Sequence, residues 1–96
     1  MSENTIVRKR LAIFGKVQGC GFRRRICDMA EQVGVAGCVW NNQNGSVTAE
    51  MQGTEEQIKK ILELIENSSE LIKIRKIDTV DIPVESGDSG FGIYYT

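Results

Sequence analysis

The apolar residues of this chain switch between strand-like and helix-like spacing in a fixed order, and that order limits the folds open to it more than any other feature. From Ile6 to Phe14 they alternate: Val7, Leu11 and Ile13 share one face while Arg8, Arg10 and Ala12 take the other, with Lys9 interrupting the apolar face. Phe22, Ile26, Met29, Ala30 and Val33 then recur at helical spacing, and Gly34 stands where a helix C-cap glycine would. Val35 to Trp40 has the length of a buried strand, and Asn44-Gly45 turns it into a hairpin with the alternating Ser46 to Met51. Thr54 and Gln57 have the spacing of a capping box. Ile58, Ile61, Leu62 and Ile65 supply the buried stripe of the second helix, Glu55 is spaced to pair with Lys59, and Asn67-Ser68-Ser69 ends it. Leu71 to Ile82 contains a further strand, and Phe91, Ile93 and Tyr95 form a short last one after the turn at Ser86 to Gly90.

The order β-α-β-β-α-β is that of the split βαβ, or ferredoxin-like, arrangement, an α+β fold with one antiparallel sheet and both helices on one face. At 96 residues with 41% hydrophobic content, the chain can bury one modest core, so residues 1–96 are expected to form a single domain. No apolar run approaches the roughly 20 residues that span a bilayer, and Met1 to Lys9 lacks the apolar centre of a signal peptide. A cytoplasmic protein without a membrane partner is the expectation. Twelve basic residues nearly balance 13 acidic ones, giving a formal charge of -1, so no overall field favours nucleic acid. Ser46 to Met51 also lacks the aromatic residues on which an RNA-recognition sheet stacks bases.

There is no histidine, which removes the usual general base, the usual partner of a serine or cysteine nucleophile, and the commonest metal ligand. Cys20, Cys27 and Cys38 are odd in number and lack CxxC spacing, which argues against a disulfide framework and a zinc site. They read as thiols, and neither a metal nor a cofactor is expected.

Electrostatics separates the two helices. The second carries acids in its first turn, as the helix dipole prefers, whereas the first opens with Arg23-Arg24-Arg25, cations beside a positive pole. An anion bound at that N-terminus would make the arrangement favourable, held by the amides of the glycine loop Gly15 to Gly21 and by a forked guanidinium. Phosphate is the obvious candidate; the alternative is a tight glycine turn followed by solvated arginines. Successive helical positions turn by about 100°, so the three arginines cannot all face one phosphate, and Arg24 and Arg25 are expected to face solvent.

Two segments carry a family resemblance. Gly15-Lys16-Val17-Gln18-Gly19-Cys20-Gly21-Phe22-Arg23 resembles the acylphosphatase signature G-x-V-Q-G-V-G-F-R, with Cys20 in place of the usual valine. Gly37-Cys38-Val39-Trp40-Asn41-Asn42-Gln43-Asn44-Gly45-Ser46-Val47 resembles the second signature of that family, G-x-V-x-N-x-x-D/N-G-S/T-V. The likeness is detailed from about Leu11 to Gly53 and looser up to Phe91-Gly92-Ile93-Tyr94-Tyr95. It implies an enzyme that hydrolyses small-molecule acyl phosphates, with inorganic phosphate as product or inhibitor. By the same resemblance Arg23 binds phosphate and Asn41 positions water. The amides of Gln18, Gly19, Cys20, Gly21 and Phe22 join Arg23 around the phosphoryl group, and a monomer is expected.

The chemistry suits such a chain. An acyl phosphate leaves as a weakly basic carboxylate, so no general acid is required; holding the phosphoryl group and orienting water are the remaining tasks. A catalytically silent phosphate- or protein-binding module of the same fold is the alternative. Cys20 at the start of a helix suggests a covalent phosphatase, but those enzymes resemble Cys-x5-Arg, and six positions beyond Cys20 lies Ile26. Phe22, Met29, Val35, Trp40 and Tyr95 read as packing residues.

Overall fold

The structure is a computed structural model and describes residues 5–68 and 72–95. Along the chain run β1 (Ile6–Lys16), α1 (Phe22–Val33), β2 (Ala36–Asn41), β3 (Val47–Thr54), α2 (Glu55–Glu66), β4 (Lys73–Ile82) and β5 (Phe91–Tyr94). The five strands form one sheet in the order β4-β1-β3-β2-β5. The first four are antiparallel neighbours, as the ferredoxin-like reading requires. β5 instead pairs in parallel with β2, so the sheet is mixed and not antiparallel throughout. The cause is topological. Arg8 pairs with Ile82 and Gln52 with Ala36, so β4 finishes at the end of the sheet where β2 begins. A chain crossing at that end starts β5 in the same direction as β2.

Register sets the core. Leu11 lies opposite Ala49, Ile13 opposite Val47, and Val39 opposite Ala49. These side chains and Met51 are fully buried on one sheet face, packed with Phe22, Ile26 and Ala30 of α1 and Ile58, Ile61 and Ile65 of α2. Each large apolar side chain withdrawn from water contributes about 2 kcal/mol. Lys9 has the parity of this face but stands at its rim, with Nζ 2.9 Å from Asp81 and 3.5 Å from Glu55. Glu55 therefore pairs with Lys9, where helical spacing alone pairs it with Lys59. Ser69 and Leu71, expected at the end of α2 and the start of β4, lie outside the described residues.

The caps of the two helices differ as the charge pattern anticipates. Thr54 Oγ1 accepts from the Gln57 N–H at 3.1 Å and Gln57 Oε1 accepts from the Thr54 N–H at 2.9 Å, a complete capping box on α2. The N-cap of α1 is Gly21, with no side-chain cap and no acid in the first turn.

Candidate active site

The loop between β1 and α1 takes its shape from two glycines. Gly19 and Gly21 have φ of 77° and 76°, a left-handed backbone that residues with a Cβ adopt only at a cost. Helical bonding begins with the Arg25 N–H donating to the Gly21 carbonyl at 3.0 Å. The N-terminal amides of α1 are thus left without a side-chain acceptor, the condition that makes a helix start an anion site.

A cavity of about 220 Å³ opens at this helix start. Gln18, Gly19, Gly21, Phe22 and Arg23 line it from the loop, and Asn41 lines it from the end of β2. Residues that are separate in sequence meet here because β2 lies between β3 and β5, next to α1. Cys20 is exposed and is not among the lining residues. Arg24 reaches the rim, but its guanidinium forks onto Asp28 Oδ1 at 2.8 and 3.1 Å along the outer face of α1.

Arg23 is held by the last strand. Its Nη1 donates to the Tyr94 carbonyl at 3.5 Å, and its Cζ lies 4.8 Å from the centroid of the Tyr95 ring. Tyr95 reads from its spacing as a core or half-buried packing residue, but it is 78% exposed and lines the cavity. Pairing with β2 ends at Trp40 and Tyr94, so the chain has left the sheet at Tyr95. The aromatic ending of the sequence was visible, but its partner depends on a parallel pairing that periodicity does not report.

The side chains of Asn42 and Asn44 brace the hairpin between β2 and β3. Asn42 Oδ1 accepts from the Trp40 indole N–H at 3.1 Å, and Asn42 Nδ2 donates to Thr48 Oγ1 at 2.7 Å and Ser46 Oγ at 3.0 Å. Asn44 Oδ1 accepts from the Ser46 N–H at 3.0 Å and the Ser46 hydroxyl at 2.6 Å. The Gln18 side chain ties this turn to the glycine loop, donating through Nε2 to the carbonyls of Asn42 at 2.7 Å and Ser46 at 2.9 Å. This brace sets the separation between the loop amides and Asn41.

The remaining thiols stand apart from the cavity. Burial, then hydrogen bonding to Glu31, pushes the Cys27 thiol up; burial, then the charge of Glu50, does the same to Cys38. Among the described residues no three cysteine or carboxylate side chains are grouped as a metal site would group them.

Comparison with known proteins identifies the family. A sequence model of the acylphosphatase family matches residues 9–93. An acylphosphatase of Picrophilus torridus is 42% identical over 74 residues, covering 77% of this chain and 88% of its own. One from Clostridium perfringens is 32% identical over 89 residues, covering 93% and 100%. The crystal structure of acylphosphatase from Bacillus subtilis, 28% identical, superposes with a TM-score of 0.86 over 95% of this chain and 100% of that one. Because the matches take in the glycine loop, the asparagine hairpin and the sheet that joins them, the chain belongs to the acylphosphatase family and is an enzyme that hydrolyses acyl phosphates.

Proposed function

We propose that hydrolysis proceeds by in-line attack of one water on the phosphoryl group, with Arg23 and the amides of residues 18–22 binding that group and Asn41 orienting the water. The observation that carries this reading is the shared cavity. It brings an uncapped helix start, the Arg23 guanidinium and the Asn41 carboxamide within reach of a single small ligand. Arg23 offers a forked donor pair to two phosphoryl oxygens, and the loop amides meet charge developing on the equatorial oxygens. The Asn41 carboxamide oxygen accepts one proton of the water without being basic enough to remove it. As the new P–O bond forms, the bond to the carboxylate oxygen breaks, and the water proton passes to a phosphoryl oxygen of the substrate. The products are a carboxylate and inorganic phosphate, and the latter inhibits by returning to the same site.

On this reading the chain works as a cytoplasmic monomer and needs neither nucleic acid nor a membrane. Three free cysteines support a reducing compartment. Among the described residues no helix is long and apolar enough to cross a membrane.

The test is phosphate release from a generic acyl phosphate in the presence of a chelator. Arg23→Ala is expected to lower kcat/KM by about a hundredfold or more and to weaken inhibition by phosphate. Asn41→Ala is expected to lower kcat by a similar factor of about a hundred while phosphate inhibition stays within about twofold. Full turnover in Asn41→Ala, or a requirement for a divalent ion, would show the mechanism to be wrong.

A further inference from the structure

The sheet face away from the helices is crossed by residues 83–90, which join β4 at one edge to β5 at the other. Two side chains from the central strands hold that crossing down. Arg8 of β1, only 3% exposed, sets Nη1 2.7 Å from Asp88 Oδ2 and Nη2 3.7 Å from Glu85 Oε2. Gln52 of β3 exchanges two hydrogen bonds with the backbone of Glu85, donating to its carbonyl at 2.9 Å and accepting from its N–H at 2.8 Å. Gln52 Oε1 also accepts from Arg8 Nη1 at 3.2 Å, and Glu50 Oε1 accepts from Arg8 Nη2 at 3.3 Å. None of these groups lines the cavity that holds Arg23 and Asn41.

Their reach extends along β5. Beyond Asp88 the Gly90 carbonyl accepts from the Gly37 N–H at 3.0 Å, and β5 begins at Phe91. β5 is a four-residue edge strand whose one partner, β2, runs parallel to it, so its own ladder holds it weakly. At its far end the Tyr94 ring stacks on Trp40, with centroids 6.3 Å apart and planes 22° from parallel. The Tyr94 carbonyl and the Tyr95 ring are the contacts of Arg23 described above. Whatever seats β5 therefore seats the guanidinium.

We propose that Arg8, Gln52 and Asp88 form a latch that seats β5 and, through Tyr94 and Tyr95, positions Arg23 for the phosphoryl group. They are positioning residues, remote from the substrate, and the proposal rests on reading Arg23 as the phosphate ligand. A buried guanidinium makes the latch selective. With its carboxylate partners in place both Nη atoms are engaged while the buried Nε has no partner among the described residues, so loss of one carboxylate leaves a buried charge poorly compensated and the crossing free to lift.

Trp40 is the only tryptophan in the chain, so its fluorescence and near-ultraviolet dichroism report the Tyr94 stack. Asp88→Asn and Gln52→Leu, each checked for retained secondary structure, are expected to change the Trp40 signal. Both should weaken inhibition by inorganic phosphate and lower kcat/KM for a generic acyl phosphate about ten- to a hundredfold. Arg10→Met removes a cation hydrogen-bonded to Glu50 on the same face, at 2.9 Å, and should leave all three readouts unchanged. Asp88→Asn combined with Tyr95→Ala should lose less than the product of the two single losses, since both act on one contact. Unchanged phosphate inhibition in the two latch variants, or a fully multiplicative double variant, overturns the proposal. Arg23→Ala measured alongside separates the two levels. If it weakens inhibition and the latch variants do not, the latch alone is wrong; if it too leaves inhibition unchanged, the phosphate-ligand reading beneath it is wrong.

Discussion

At the scale of single residues, Asn41 and Asn42 share a side chain and differ in what surrounds it. The Asn42 carboxamide makes three side-chain hydrogen bonds inside the turn, whereas Asn41 ends β2 and lines the cavity. Asn42→Ala strands the Trp40 indole N–H and removes the donor to Ser46 and Thr48, so it is expected to cost about 1–3 kcal/mol of stability. That cost is read in a urea titration, and Asn41→Ala should lose more turnover than Asn42→Ala. The sequence motif names Asn41 without distinguishing its environment from that of its neighbour. Alternation along β2 does not reveal which carboxamide closes the turn, because that depends on where β3 pairs and where Gln18 reaches across.

At the scale of elements, the contrast between the two helix starts carries an expectation of its own. α2 brings its cap with it, as Thr54 and Gln57 foretell, and Thr54→Ala should cost about 1 kcal/mol whether or not phosphate is present. α1 has no side-chain cap and carries Arg23 in its first turn, so phosphate should act as its missing acceptor. Raising phosphate to a hundred times its dissociation constant should then stabilise the folded chain by about 2.7 kcal/mol, read as a higher Tm. That gain should shrink sharply in Arg23→Ala and persist in Thr54→Ala. Both helix starts could be read from local chemistry, since capping and dipole effects act within one turn. The pairing of β5 could not be read in this way. A short run such as Phe91 to Tyr94 fits either strand direction, and the choice is made by the end of the sheet at which β4 finishes.

For the whole molecule, the absence of histidine leaves no side chain with an ordinary pKa between about 5 and 8. Stability is therefore expected to be nearly flat from about pH 6 to pH 8. Above that range three groups act together. Burial raises Cys27 and Cys38 above their ordinary 9.0, and the hydrogen bond to Asp81 raises Lys9 above 10.5. A raised pKa means that the folded state binds its proton more tightly than the unfolded chain does. The associated stability is whole below the ordinary value and is lost as pH climbs through the folded one. Thermal midpoints should accordingly fall from about pH 9 upward, and Cys38→Ala should flatten that fall. A midpoint that declined instead between pH 6 and pH 8 would mean that some other group dominates.

What the sequence determined by itself was whatever acts over short distances. Alternation and helical spacing gave the elements and their buried faces, caps gave the helix starts, and the glycine loop with Arg23 marked a candidate anion site. Tertiary structure decided which distant groups meet. Arg8 reads as an exposed strand residue until the 83–90 crossing covers it, and Tyr95 reads as a core or half-buried packing residue until β5 aligns in parallel with β2 and lets its ring lie beside Arg23. The physical reason is the same in both cases. Periodicity records which side of an element a residue occupies, whereas the neighbour that will cover that side is set by strand order and by the end of the sheet from which the chain returns.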